Sequence, residues 1–257
     1  MSNILLTVTG VAISLPISIV LIVWMLHYKK SRRFPKGAVW LMLLAGALAC
    51  LPPILIGIIM DITGGGVTSM LMGAEAAKAA GENLPQNVKI ASAAINSFIM
   101  AALLEEVLKF VGVSLVSKRS STIENRFDAV LCGAIVGIGF QIFEDALYVD
   151  PSGSLFTTVI RALTPFHFTF GALMGFYYGK AKTTGKKGYY LLAICVPLLV
   201  HGMYDFVSDL NAVNDFAFLL FLMMLLAMTA FTIVMMVKIH RWSKSEKMLA
   251  PLSLYDS

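Results

Sequence analysis

Nine ionisable side chains lie inside long apolar stretches of this sequence: Glu105, Glu106, Lys109, Glu144, Asp145, Arg161, His167, His201 and Asp205. Seven of them carry a formal charge, and one ionised side chain at the centre of a membrane-spanning helix costs about 2.5–3.5 kcal/mol on insertion scales. Folding alone would not repay these costs. We therefore expect the groups to face one another inside a helix bundle, where an ionisable cluster indicates a functional site.

The strongest local pattern is Glu105-Glu106 followed by Lys109. Residues three and four apart share a helix face, so Lys109 lies between the two carboxylates. Two adjacent carboxylates in a dry site cannot both ionise cheaply, so one keeps its proton while the ammonium holds the other ionised. This predicts an acid and a base made from identical groups, which suits hydrolysis near neutral pH. A self-neutralising clamp between helices is the alternative.

Two more pairs have helical spacing. Glu144 and Tyr148 are four residues apart, as are His201 and Asp205, so each pair shares a helix face. We expect Asp205 to fix the tautomer of His201 or to hold its imidazole protonated. Asp145 is predicted to be turned away from Glu144 and to be solvated or to cap a helix.

A fifth apolar stretch carries a four-residue repeat that consists of His167, Gly171, Gly175 and Gly179. Glycines at this spacing let two helix backbones approach closely. Pro165 loosens the helix just before His167, and neighbouring helices must compensate. Arg161 is expected to snorkel to the interface or to clamp an acidic group.

The elements that position these residues must be membrane helices. Apolar residues make up 58% of the 257 residues and charged residues 14%, which excludes an ordinary soluble globule and a disordered chain. Seven apolar segments are each long enough to span a bilayer: 4–26, 38–60, 91–116, 129–149, 157–179, 189–208 and 215–237. The sequence predicts an all-α, polytopic transmembrane bundle that forms a single domain, 1–257.

The distribution of basic residues predicts the orientation. With the N-terminus outside, the cytoplasmic connections and the tail 238–257 hold sixteen lysines and arginines, and the outer connections hold two. The net charge of +5 is therefore attributed to the cytoplasmic loops of a protein in the lipid bilayer, and no nucleic acid partner is expected. The outer loop 61–90 is predicted to contain a short helix from Gly73 to Gly81. Glu105, Glu106, His167 and His201 then fall at similar depth, around a polar pocket that opens outward.

The ordered motifs resemble the PrsW family of bacterial intramembrane proteases over residues 95–210. The segments that carry the resemblance are Glu105-Glu106 with Lys109, Gly139-Phe140 with Glu144 and Tyr148, Arg161 with Pro165, His167 and Gly175, and Pro197 with His201-Gly202 and Asp205-Phe206. Asp145 departs from the pattern, because the family commonly has asparagine there. More distantly, the motifs are similar to those of the CAAX-processing and bacteriocin-processing membrane proteases.

The resemblance implies an intramembrane endopeptidase in a bacterial plasma membrane, with a protease-like core over about 91–210. Its substrates would be single-span membrane proteins such as anti-sigma factors. Four residues are predicted to be catalytic: Glu105, Glu106, His167 and His201. Four more are predicted to support them: Lys109, Glu144, Asp205 and Arg161. In this hypothesis Glu105 is the general base, His201 stabilises the oxyanion, and His167 or Glu144 positions the water.

Two alternatives remain open from the residues alone. No cofactor is expected for glutamate chemistry, but His167, His201 and Glu144 form a possible three-ligand zinc site. Intramembrane carboxylates, lysine and histidine also suit a proton-coupled transporter. Against a transporter, the seven segments show no halves related as repeats.

Overall fold

The fold is known from a computed structural model. It describes residues 3–29, 34–35, 37–63, 65–80, 83–119, 123–147, 155–210 and 215–252. These residues form α-helices and one π-helical segment, and no strand occurs among them. Tyr148, which was predicted to share a face with Glu144, lies outside the described residues.

The helices are α1 (Asn3–His27), α2 (Ala38–Thr63), α3 (Val67–Met72), α4 (Ala74–Ala80), α5 (Gln86–Ile95), α6 (Leu104–Lys118), α7 (Arg126–Leu147), α8 (Leu155–Leu163), α9 (Phe166–Thr184), α10 (Gly188–Leu210), α11 (Asp215–Trp242) and α12 (Glu246–Leu249). The π-helical segment Asn96–Leu103 joins α5 to α6. Helix α4 is the short helix that was predicted in the loop 61–90.

Within the described part of the chain, five helices are long and apolar enough to cross a membrane: α1, α2, α7, α10 and α11. They coincide with five of the seven predicted spans, and the chain is a multi-pass membrane protein. Neither of the other two predicted spans is a single α-helix. The π-helical segment lies within 91–116, where the backbone stays helical from Gln86 to Lys118, and Thr164-Pro165 separates α8 from α9 within 157–179. The span count of seven and the orientation of the termini stay predictions.

The described residues group into two compact units. The first unit comprises Met1–Cys50, Leu108–Pro197 and Thr229–Ser257, and the second comprises Leu51–Val107 and Leu198–Met228. Helices α2, α6, α10 and α11 therefore each contribute residues to both units. The predicted single domain stays a prediction.

Helix α7 is the centre of the first unit, because every residue from Arg126 to Gln141 is buried. Helix α9 packs against it through glycines: a Cβ atom on Gly133 would lie 2.1 Å from the carbonyl oxygen of Gly171, and one on Gly175 would lie 2.2 Å from that of Ala129. Since no side chain fits between the backbones, the four-residue repeat produces the close approach that its spacing predicted.

Polar contacts and one close ring contact hold the helices of the second unit together. The Ser97 hydroxyl of the π-helical segment donates a hydrogen bond of 3.0 Å to Asp209 on α10. The Thr68 and Ser92 hydroxyls, on α3 and α5, lie 3.1 Å apart. Gly202 on α10 packs against the Phe98 ring, where an added Cβ would lie 2.5 Å from a ring carbon. These contacts hold α10 beside the segment that leads into α6.

Candidate functional site

A carboxylate–imidazole cluster lies in the second unit. Here the His201 ring stands between acidic groups: Nδ1 is 3.0 Å from Glu106 Oε1, and Nε2 is 3.0 Å from Asp205 Oδ2. Glu105 Oε2 lies 3.8 Å from His201 Nε2. Glu106 is completely buried, and Glu105 and His201 are also buried. We call these four residues the carboxylate–imidazole cluster.

Local structure explains how the cluster forms. His201 and Asp205 are one turn apart on α10, which is the pairing that their spacing predicted. The two glutamates are at the start of α6, directly after the π-helical segment. A π-helix widens the turn and is found mostly at functional sites. We found no signal for it in the sequence, because a widened turn has no characteristic residue pattern.

A cavity of about 490 Å³ borders Glu105 within the second unit. Its walls come from the later part of α2, the start of α3, the π-helical segment and the start of α6. The lining residues are Pro53, Ile54, Ile56, Gly57, Met60, Gly66, Val67, Thr68, Asn96, Met100, Ala101 and Glu105. Most of this lining is apolar. Glu105 is its one ionisable group, so a molecule in this Glu105 cavity meets a single carboxylate.

A second group of polar residues forms a chain in the first unit. Lys109 Nζ lies 2.9 Å from His167 Nδ1, and His167 Nε2 lies 2.9 Å from Glu144 Oε2. Arg161 continues the chain through contacts of 2.6 Å to Glu144 and 3.2 Å to Asp145. We call these five residues the lysine–histidine chain.

The partners of His167 determine its tautomer. An ammonium has only donors, so beside a charged Lys109 the Nδ1 atom of His167 would accept, and Nε2, which faces Glu144, would carry the ring proton. Lys109 is completely buried, and its Nζ also lies 3.8 Å from the centroid of the Phe140 ring. A cation–π contact of this kind stabilises a desolvated ammonium. Phe140 belongs to a sequence motif, but its contact with the lysine was not predicted.

The prediction that Asp145 is solvated or caps a helix is wrong. Asp145 is 5% exposed and is paired with Arg161. Its helix face does differ from that of Glu144, but a guanidinium presents five donors in a fork and contacts both carboxylates through different nitrogens. Arg161 is thus a clamp for acidic groups, which was one of its two predicted roles.

The clamp predicts coupled effects on stability. Arg161→Met is expected to lower the melting temperature in detergent, since it leaves two acidic groups without their cation. Asp145→Asn in the same background should recover part of the loss, with a coupling of about 0.5–3 kcal/mol. Thermal unfolding of the two single variants and the double variant measures this. Strictly additive effects would contradict the pairing.

The all-helical fold and the intramembrane acidic and imidazole groups define a multi-pass membrane protein with a buried polar site. Residues 34–235 match the family model described as PrsW family intramembrane metalloprotease. The chain belongs to this family.

Several curated relatives are similar to part of the chain, and each is named Protease PrsW. That of Geobacillus kaustophilus is 39% identical over 120 residues, which is 45% of this chain and 53% of the relative. That of Bacillus subtilis is 34% identical over 116 residues, or 43% and 53% of the two chains. The chain thus spans about half the length of the curated relatives it matches. No solved structure matches it.

The family description implies a metal ion, and the donor groups of the carboxylate–imidazole cluster fit one. Zinc takes imidazole nitrogen and carboxylate oxygen, and catalytic zinc sites use three protein ligands. Glu105, Glu106 and His201 supply such donors, and all three are buried. Of the zinc ligands considered from the sequence, His201 belongs to this cluster, whereas His167 and Glu144 belong to the lysine–histidine chain of the first unit.

Proposed function

We propose that this protein is an intramembrane endopeptidase that hydrolyses a peptide bond of a membrane protein, with water activated by Glu105. One observation carries the proposal: Glu105 lies beside an imidazole that two other carboxylates hold, and it also borders a cavity. A general base must reach both its substrate and the groups that stabilise the charge it creates.

The two glutamates differ in their surroundings, which supports Glu105 as the base. Glu105 lines the cavity, whereas Glu106 is fully buried and contacts His201 through Oε1. In the proposed step Glu105 takes a proton from water while the water oxygen bonds to the scissile carbonyl carbon. The tetrahedral intermediate then collapses, the C–N bond breaks, and Glu105 returns the proton to the leaving nitrogen.

His201 is proposed to stabilise the oxyanion of that intermediate. Carboxylates contact both of its ring nitrogens and hold the ring beside Glu105. A preorganised group at the position where negative charge develops stabilises that charge, and losing such a group typically costs about 10²–10³ in rate. Asp205 acts on this step indirectly, by orienting the ring.

Asp205→Asn is therefore expected to lower cleavage by about 10–100-fold, as is usual when the partner of a functional histidine is removed. Asp209→Asn is a matched control, because Asp209 is on the same helix but bonds to Ser97. Turnover of a cleaved substrate by the purified variants, together with their melting temperatures, is the measurement. Equal activity of both variants would remove Asp205 from the mechanism.

For His167, Glu144 and Lys109 we keep the roles that the sequence predicts: His167 or Glu144 holds the attacking water, and Lys109 tunes the glutamates. Sequence spacing supports the role of Lys109, since residues three apart on one helix share a face. His167→Ala should then lower turnover without lowering abundance in the membrane.

Family membership and the membrane setting support a proposal for the substrate class. We propose single-span membrane proteins, such as anti-sigma factors, as substrates and the bacterial cell membrane as the location. The test is comparative membrane proteomics of cells that produce either the native protein or its Glu105→Gln variant. Full-length single-span proteins should accumulate with the variant. If the two proteomes do not differ, the proposed activity is wrong.

A zinc-dependent version is the second candidate, and the family description favours it. Glu105, Glu106 and His201 would hold the ion, and bound zinc would lower the pKa of a coordinated water and polarise the scissile carbonyl. If so, the purified protein should contain about one zinc per chain by elemental analysis, and a chelator should abolish cleavage until zinc is restored. Full activity after complete zinc removal would exclude the zinc-dependent version and support the metal-free glutamate mechanism.

A further inference from the structure

The wall of the Glu105 cavity contains a glycine that folding does not explain. Gly57 lies within α2, where glycine is about 0.5–1 kcal/mol less favourable than alanine. Its backbone is not in the left-handed region, and a Cβ added there meets no described atom within 4 Å. Neither a special conformation nor close helix packing therefore requires glycine at this position.

The glycines at close helix contacts differ in this respect. In the same unit, a Cβ on Gly202 would lie 2.5 Å from the Phe98 ring. In the first unit, a Cβ on four glycines of α7 and α9 would lie 2.0–2.2 Å from a backbone atom: Gly133, Gly137, Gly171 and Gly175. Those glycines are required for packing. Gly57 instead leaves open space in the wall of a cavity that contains the proposed general base.

The cavity also has groups that can bind a peptide backbone. Asn96, at the start of the π-helical segment, provides amide donors and an acceptor, and Thr68 provides a hydroxyl. A scissile carbonyl must leave its helical hydrogen bond before water can attack it, so an unwound substrate segment needs such replacement partners. The remaining lining is apolar and suits aliphatic side chains.

From these observations we propose that Gly57 is a specificity-determining residue. The open space at the Cβ position of Gly57 accommodates a large apolar side chain of the substrate, next to the bond that Glu105 hydrolyses. This inference rests on the proposed endopeptidase function and adds to it the chemical class of the cleavage segment. Filling the space with a side chain should restrict cleavage to segments with glycine, alanine or serine at that position.

The experiment maps cleavage sites by labelling new N-termini in membranes and identifying them by mass spectrometry. Cells produce the native protein, Glu105→Gln, Gly57→Ala or Gly57→Leu. Gly188→Leu is the matched control, because Gly188 also has open space for a Cβ but lies at the start of α10 in the first unit. Cleavages that Glu105→Gln abolishes define the set produced by this protein.

In Gly57→Leu, sites with a large flanking residue should decrease about tenfold or more, as expected when a pocket loses room for a side chain. Sites with a small residue there should persist, Gly57→Ala should show a weaker form of this shift, and Gly188→Leu should match the native protein. The melting temperature of Gly57→Leu should be unchanged or higher, since leucine is the better helix former.

Two results would overturn the inference while leaving the endopeptidase intact. One is a Gly57→Leu cleavage profile identical to that of the native protein. The other is a loss that affects all sites equally, regardless of side-chain size, which would indicate a structural role. If no cleavage depends on Glu105, the proposed function itself is wrong and the inference falls with it.

Discussion

Glu105→Gln and Glu106→Gln are each expected to lower the turnover of a cleaved substrate by about 10²–10⁴-fold, the usual contribution of a general acid or base. Glutamine has nearly the size of glutamate but cannot take a proton from water. At Glu106 it also replaces the carboxylate that contacts His201 Nδ1. The assay uses purified protein in proteoliposomes with a substrate found by the proteomic comparison.

Glu75→Gln is the control for this prediction, because Glu75 is an exposed glutamate on α4 in the same unit. It should retain native turnover. The glutamine variants should keep native abundance and elute as a single species, since glutamine nearly preserves the side-chain volume and still offers a carbonyl acceptor. Native turnover in both Glu105→Gln and Glu106→Gln would exclude either carboxylate as the base.

Gly175→Leu is expected to have the largest effect on folding. Its Cβ would lie 2.2 Å from the carbonyl oxygen of Ala129 and 2.8 Å from the Cα of Val130, so α7 and α9 would have to separate. Overpacking a core typically costs about 1–3 kcal/mol, and more where rigid backbone must move. We expect little folded protein in the membrane, as measured by fluorescence-detected size exclusion in detergent.

The control is Gly188→Leu, which adds the same side chain where a Cβ meets no described atom within 4 Å. It should be produced at the native level with an unchanged melting temperature. If Gly175→Leu is as abundant and as stable as this control, the close contact between α7 and α9 is not what holds the first unit together.

Much of the fold follows from local properties of the sequence. Hydropathy located α1, α2, α7, α10 and α11, because a membrane helix needs about 20 apolar residues wherever it occurs. It did not reveal that the helix changes to a π-helix at Asn96–Leu103 or that an α-helix ends just before Thr164-Pro165. Hydropathy averages over a window, whereas a break depends on which backbone hydrogen bonds neighbouring helices compensate.

In the candidate site, too, some contacts follow from the sequence alone and others only from the tertiary structure. Helical spacing alone determined that His201 meets Asp205 and that Glu106 and Lys109 share a helix face, because these contacts depend only on 3.6 residues per turn. The tertiary structure decided that His167 is the partner of Lys109, that Arg161 binds Asp145, and that Glu105 borders a cavity. Those contacts join distant segments, and helix packing sets which side chains meet.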